Sequence, residues 1–168
     1  MTETVLHVGC GGATLPDWLS EFAEVRLDIN PDCQPDIVAP MTDLGDIGPF
    51  DRVYCAHALE HLYEHDVTKA LREFHRVLKP GGAVHIFVPD LEDVQPTDEV
   101  LFVAEAGPIT GRDLYYGFAP YVAQTEFMAH KTGFVRATLE AALRAAGFGR
   151  TGLARLGSHN LYAAAVKD

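Results

Sequence analysis

The chain is short of the features that would place it outside the cell or in a membrane. Its three cysteines, Cys10, Cys33 and Cys55, are odd in number, well separated and form no Cys-x-x-Cys pair. That argues against a disulfide framework and for a reducing, cytoplasmic setting. No window approaches a membrane-spanning run of apolar residues, and the opening Met1-Thr2-Glu3-Thr4 has no basic stretch leading into an apolar one. Neither a membrane partner nor secretion is expected. Basic residues are scarce too, 13 Lys and Arg against 24 Asp and Glu for a net charge of −11, with no basic run. Such a surface repels phosphate backbones, so nucleic acid is not the expected partner. Repeats and low-complexity tracts are absent as well. What is present is enough apolar material, 48% of 168 residues, for one self-sufficient domain.

Thr4 to Val8 is an apolar run ending in Gly9-Cys10-Gly11-Gly12, the way a buried parallel strand meets a tight turn. Leu15, Trp18, Leu19 and Phe22 then predict a short amphipathic helix over 15–22, with Pro16 allowed in its first turn. Glu24 to Ile29, Asp36 to Ala39, Arg52 to Ala56 and Ala83 to Val88 read as further strands. Asp66 is placed to cap a helix that buries Val67, Ala70, Leu71, Phe74, Val77 and Leu78 and is ended by Lys79-Pro80-Gly81-Gly82. After Pro89-Asp90 an irregular stretch runs to about Gly133. A helix over 135–146 follows, stopped by Gly147, and Thr151 to Leu156 with Asn160 to Val166 form a hairpin about Gly157-Ser158-His159. Alternating strands and helices mean an α/β Rossmann-like domain. Its sheet is mostly parallel, flanked by helices and closed by a C-terminal antiparallel hairpin. Ligands of such sheets lie at the carboxyl ends of the strands.

Two features at those ends carry chemistry. Glycines at 9, 11 and 12 let a ligand approach the backbone, although the G-x-G-x-x-G spacing for a pyrophosphate is not met. Asp28, at the end of the next strand, is placed to accept hydrogen bonds from both hydroxyls of a ribose. An adenosine-type ligand without a pyrophosphate follows.

The runs Val5-Leu6-His7-Val8-Gly9-Cys10-Gly11-Gly12, Leu27-Asp28-Ile29-Asn30, Phe50-Asp51-Arg52-Val53-Tyr54, His57-Ala58-Leu59-Glu60-His61-Leu62 and Arg76-Val77-Leu78-Lys79-Pro80-Gly81-Gly82 stand in register over about residues 4 to 90. In this the sequence resembles the class I S-adenosylmethionine-dependent methyltransferases, in their broad small-molecule (type 11-like) branch. Ala145-Ala146-Gly147-Phe148 resembles the family's last helix. The resemblance implies S-adenosylmethionine as cofactor, bound by His7, Gly9, Cys10, Gly11, Asp28, Ile29, Met41, Thr42, Asp43, Ala56 and His57. It implies methyl transfer to a small-molecule acceptor. Departures are Ala13 and Pro40, where many relatives have a glycine and an acid, and the absence of helices ahead of the first strand.

Methyl transfer from a sulfonium needs mainly alignment and exclusion of water, so the acceptor has to be sought in the least regular segment. We divide the single domain of residues 1–168 into a cofactor half (1–90), an irregular lid, substrate or dimer segment (91–134) and a last helix and hairpin (135–168). Asp113, Tyr115, Tyr116 and His130 are the polar candidates of the middle segment, with Asp90 beside them; His130, Asp90 and Tyr115 are taken as the catalytic expectation. A homodimer is the expected association. His57-x-x-Glu60-His61 has the form of an inverted zinc-peptidase motif, but a zinc hydrolase leaves the glycine turn and Asp28 without a role, and no metal is expected. A nicotinamide-dependent reductase lacks its phosphate fingerprint, and an inactive S-adenosylmethionine-binding subunit is the remaining alternative.

Overall fold

A computed structural model describes residues 2–157 and 159–168. In chain order the elements are β1 (Thr4–Val8), β2 (Ala23–Asp28), β3 (Ile37–Val38), β4 (Phe50–Ala56), α1 (Glu64–Val77), β5 (Leu78–Pro89), β6 (Val100–Ala104), β7 (Gly107–Thr110), α2 (Gly111–Tyr116), α3 (Ala119–Val122), α4 (Arg136–Ala145), β8 (Arg150–Leu156) and β9 (Asn160–Val166). Seven strands form one sheet in the order β3-β2-β1-β4-β5-β9-β8. The first five are parallel, and β9 lies antiparallel between β5 and β8. The chain runs outward from β1 to β3 and returns to β4, so the topology switches beside β1, and that is where a crevice opens. The Rossmann-like architecture with an antiparallel end is as expected.

Along β1, β4 and β5 the residues Leu6, Val8, Val53, Cys55, Val84 and Ile86 point to one face and are fully buried. They pack on α1 through Val67, Leu71 and Phe74 and on α4 through Leu139 and Leu143. The spacing of those side chains keeps each apolar stripe on one side of its helix. α1 starts three residues earlier than expected, with Tyr63 and not Asp66 at the cap position; Asp66 lies within its first turn, where its charge suits the helix dipole, and no side chain caps the end.

The opposite face is built differently. His7, Tyr54, His85, Phe87 and Tyr162 form an aromatic row across β1, β4, β5 and β9, with neighbouring ring centroids 4.8–6.1 Å apart. The helix expected over 15–22 is reduced to one 3-10 turn, Asp17–Leu19. So few residues cannot offset helix nucleation, and Ser20 Oγ donates instead to the Asp17 carbonyl at 2.7 Å. Trp18 stands edge-on to His85 at 4.8 Å and remains half exposed.

The stretch after Pro89 is more ordered than its sequence suggests. β6 and β7 pair as an antiparallel hairpin, and α2 folds against it around a small second core of Val94, Ile109 and Leu114. Thr110 caps α2 in a reciprocal box with Asp113. Among the described residues no helix is long and apolar enough to cross a membrane.

Burial, with a smaller contribution from Arg52, pushes His85 from its ordinary 6.5 down to about 4. Between those values the unfolded chain binds a proton that the fold refuses, so stability falls as the pH is lowered through this window, by up to roughly 3 kcal/mol. Chemical denaturation of His85→Gln, which cannot titrate, should show a shallower loss between pH 6.5 and 4 than the parent; equal slopes would contradict this.

Candidate active site

The turn after β1 is pinned from β2. Gly9 and Cys10 donate their amides to the Leu27 carbonyl at 2.8 and 3.2 Å. The Asp28 carboxylate accepts the Gly11 amide through Oδ2 and the Asn30 amide through Oδ1, both at 2.8 Å. Arg26 donates to the carbonyls of Gly11 (2.7 Å) and Ala13 (2.8 Å) and is itself steadied by Glu24 at 3.2 Å. Glu24, Arg26 and Asp28 alternate along one strand and so share a face; that period was the sequence signal for the Arg26 clamp. Gly9 has φ +66°, and a Cβ there would collide with Ala58 Cβ, so only glycine brings the ends of β1 and β4 so close. Gly11, at φ +46°, faces open space.

Beside this turn lies a cleft of about 410 Å³. Of the residues expected there, Gly9, Cys10, Gly11, Asp28, Ile29, Met41, Ala56 and His57 line it. His7, Thr42 and Asp43 do not. His7 lies further down its strand, away from the carboxyl end, where its Nδ1–H donates to Glu24 at 2.7 Å. Asp43 accepts the Gly45 amide at 3.3 Å in a local turn. Thr125, Phe127, Met128 and Lys131 reach the cleft from the far side, a contribution only tertiary structure could reveal.

A second cavity of about 310 Å³ adjoins the first, and His57, His61 and Met128 line both. Phe102, Ile109, Leu114 and Phe118 give it an apolar roof, while Glu60 and His130 are polar groups in its wall. His57 closes β4 in the left-handed region at φ +50°, a strained conformation for a residue with a Cβ. Its Nδ1 lies 3.6 Å from Glu60 Oε1. Burial works to raise the Glu60 carboxyl, but the surrounding imidazoles of His57, His61 and His130 outweigh it and hold the group below the ordinary glutamate value. Burial lowers His130, against the pull of Glu60 and of the Leu114 carbonyl.

The other polar candidates are committed elsewhere. Asp90 is buried, pairs with Arg155 and accepts the Glu92 amide; it lines neither cavity. Tyr115 donates its hydroxyl to the Val94 carbonyl at 3.1 Å, and Tyr116 is exposed; neither borders a cavity. Asp113 does border the second cavity, but its carboxylate is used by Thr110 and the Ala119 amide. Only His130 of the catalytic expectation faces the cavity, and the structure joins it to Glu60 and His61, a grouping the sequence did not disclose.

Residues 6–86 match the profile of a family described as a methyltransferase domain. The match spans a little under half of the chain and takes in β1 to β5. Solved structures agree in fold. A SAM-dependent methyltransferase from Archaeoglobus fulgidus superposes with TM-score 0.69 at 15% identity, over 99% of this chain and 86% of that one. One from Mesorhizobium loti gives 0.66 at 18%, over 97% and 90%. The 1,6-didemethyltoxoflavin-N1-methyltransferase of Burkholderia thailandensis, solved with 1,6-didemethyltoxoflavin and S-adenosylhomocysteine, gives 0.61 at 19%, over 99% and 71%. No curated protein sequence matches the chain significantly. The cofactor implied by the sequence resemblance is S-adenosylmethionine, and the cleft suits it: Gly11 opens onto free space, and Asp28 keeps acceptor capacity beside the two amides it takes.

Gly9→Ala forces a side chain against Ala58 in a left-handed backbone. It should cost about 1–3 kcal/mol in denaturant unfolding and weaken S-adenosylhomocysteine binding. A variant as stable and as tight-binding as the parent would contradict the packing argument.

Proposed function

We propose that this protein transfers the methyl group of S-adenosylmethionine to a small-molecule acceptor held in the second cavity. The observation that carries the reading is the junction of the two cavities at His57, His61 and Met128. A donor in one and an acceptor in the other would meet there, shielded from water. Bound in the cleft, the cofactor supplies a methyl already activated by its sulfonium.

The chain's own residues bind, align and desolvate. Asp28 takes the ribose hydroxyls, the backbone of Gly9, Cys10 and Gly11 passes the methionine part, Ala56 and His57 border the methionyl end, and Ile29 and Met41 offer apolar contact to the base. The segment 91–134 acts as lid and substrate segment, its Thr125, Phe127 and Met128 closing the cleft and its Phe102 and Phe118 roofing the acceptor. The acceptor carries hydrogen-bonding groups, because the buried atoms Glu60 Oε2 and His159 Nδ1 have no partner among the described residues and both residues line its cavity. His130 donates Nδ1–H to the Leu114 carbonyl at 2.8 Å, so its Nε2 carries a lone pair. Three unpaired thiols favour a cytoplasmic setting.

Calorimetry of the full chain should show S-adenosylhomocysteine and S-adenosylmethionine binding and no heat with NAD. Asp28→Ala should weaken S-adenosylhomocysteine by about 1–3 kcal/mol, roughly five- to 160-fold. Unchanged affinity in that variant would remove the ribose assignment. Transfer of labelled methyl to a panel of small hydroxy, amino and thiol compounds then tests turnover, and cofactor binding without transfer to any of them would favour an inactive subunit.

A further inference from the structure

We propose that Glu60, His61 and His130 form a site for one divalent transition-metal ion of the zinc(II) or iron(II) class, open to the acceptor cavity and taking there a hydroxyl or carboxylate oxygen of the acceptor. The ion itself needs no support from the methyl-transfer reading; the identity of its open-side ligand as the acceptor rests on that reading.

Four observations converge. One ligand atom from each of the three side chains lies within 4.8 Å of the others. Donors about 2.0–2.1 Å from a common ion stand about 3.3 Å apart, so small side-chain rotations complete the set. Two imidazoles and one carboxylate are a donor set suited to zinc or iron, with positions left for a further ligand. Both imidazoles are also oriented from behind: His61 Nδ1–H donates to the Ala129 carbonyl at 3.1 Å and His130 Nδ1–H to the Leu114 carbonyl at 2.8 Å. A carbonyl can only accept, so in each ring the proton sits on Nδ1 and Nε2 presents its lone pair, the arrangement found behind metal-bound histidines.

The third observation is Glu60. It is 1% exposed, lines the cavity, and its Oε2 has no hydrogen-bond partner among the described residues. A buried carboxylate oxygen left unsatisfied is costly, and an ion between it and the two rings would satisfy it. Fourth, the backbone fixes the group before any ion arrives. The Glu60 carbonyl accepts the amides of Lys131 (2.9 Å) and Thr132 (3.2 Å), and the His130 amide donates to the Tyr116 carbonyl at 3.2 Å. Two neutral imidazoles and one carboxylate leave a divalent ion with net charge +1, which favours an oxygen donor from a molecule held in the cavity.

The test uses the full chain, stripped with chelator and titrated with zinc chloride, and separately with cobalt(II) chloride while the visible d–d bands are recorded. One equivalent should bind at micromolar or tighter affinity, with cobalt bands intense enough to mark low coordination. His130→Gln and, in a separate sample, Glu60→Gln should each weaken zinc at least tenfold, whereas His65→Gln, on the exposed start of α1, should not. S-adenosylhomocysteine is titrated into every sample, since His130 and Glu60 do not line its cleft. Weak zinc binding that is the same in parent, His130→Gln and Glu60→Gln overturns the proposal, even if S-adenosylhomocysteine binds. Conversely, stoichiometric zinc with no S-adenosylhomocysteine binding supports the metal site and sinks the methyl-donor reading instead.

Discussion

The Asp28 carboxylate, holding the amides of Gly11 and Asn30 at once, is the interaction on which the site depends. It ties the turns after β1 and β2 together at the crevice of the sheet. Charge-assisted bonds from a carboxylate to two amides are stronger than neutral ones, so the glycine turn has a fixed shape without a ligand. Arg26 completes the restraint from the carbonyl side. A turn of glycines is entropically expensive to order, and here strand side chains, not the turn itself, supply the order.

From that fixed corner the rest follows in sequence. Gly9 allows β4 to end against β1, which sets His57 at the mouth of both cavities. The turn after His57 places Glu60 and His61 beneath the roof made by β6, β7 and α2. That roof has its own small core and packs at the carboxyl end of the sheet, where chemistry in such folds is found. One face of the sheet is thereby given to helices and the other to an aromatic row covered in part by Trp18.

Elements with a strong local pattern were readable in the sequence. β1 has the ends its apolar run implies, and the final hairpin and α4 lie within a residue of expectation, because alternation, helical spacing and Gly147 each speak locally. The segment between β1 and β2 misled, since its apolar spacing reflects contact with the sheet and not a helix. β6 and β7 were missed because their short, weakly apolar strands are ordered by a core assembled from distant residues. At the site, Gly9 and Asp28 could be read from spacing, and Thr42 and Asp43 could not be excluded without the course of their loop. Glu60 and His61 stood in view as a motif, but their third companion, His130, is far along the chain and has no pattern linking it to them.

One carbonyl gives the arrangement a mechanical property. Glu60 holds two successive amides of the segment that descends from the roof, and His61 holds the Ala129 carbonyl of the same segment. Ceiling and floor are thus latched at this corner, and the latch brings His130 beside Glu60 and His61. The spacing of the polar cluster is therefore set by main-chain bonds between two stretches far apart in sequence, and does not wait on a guest.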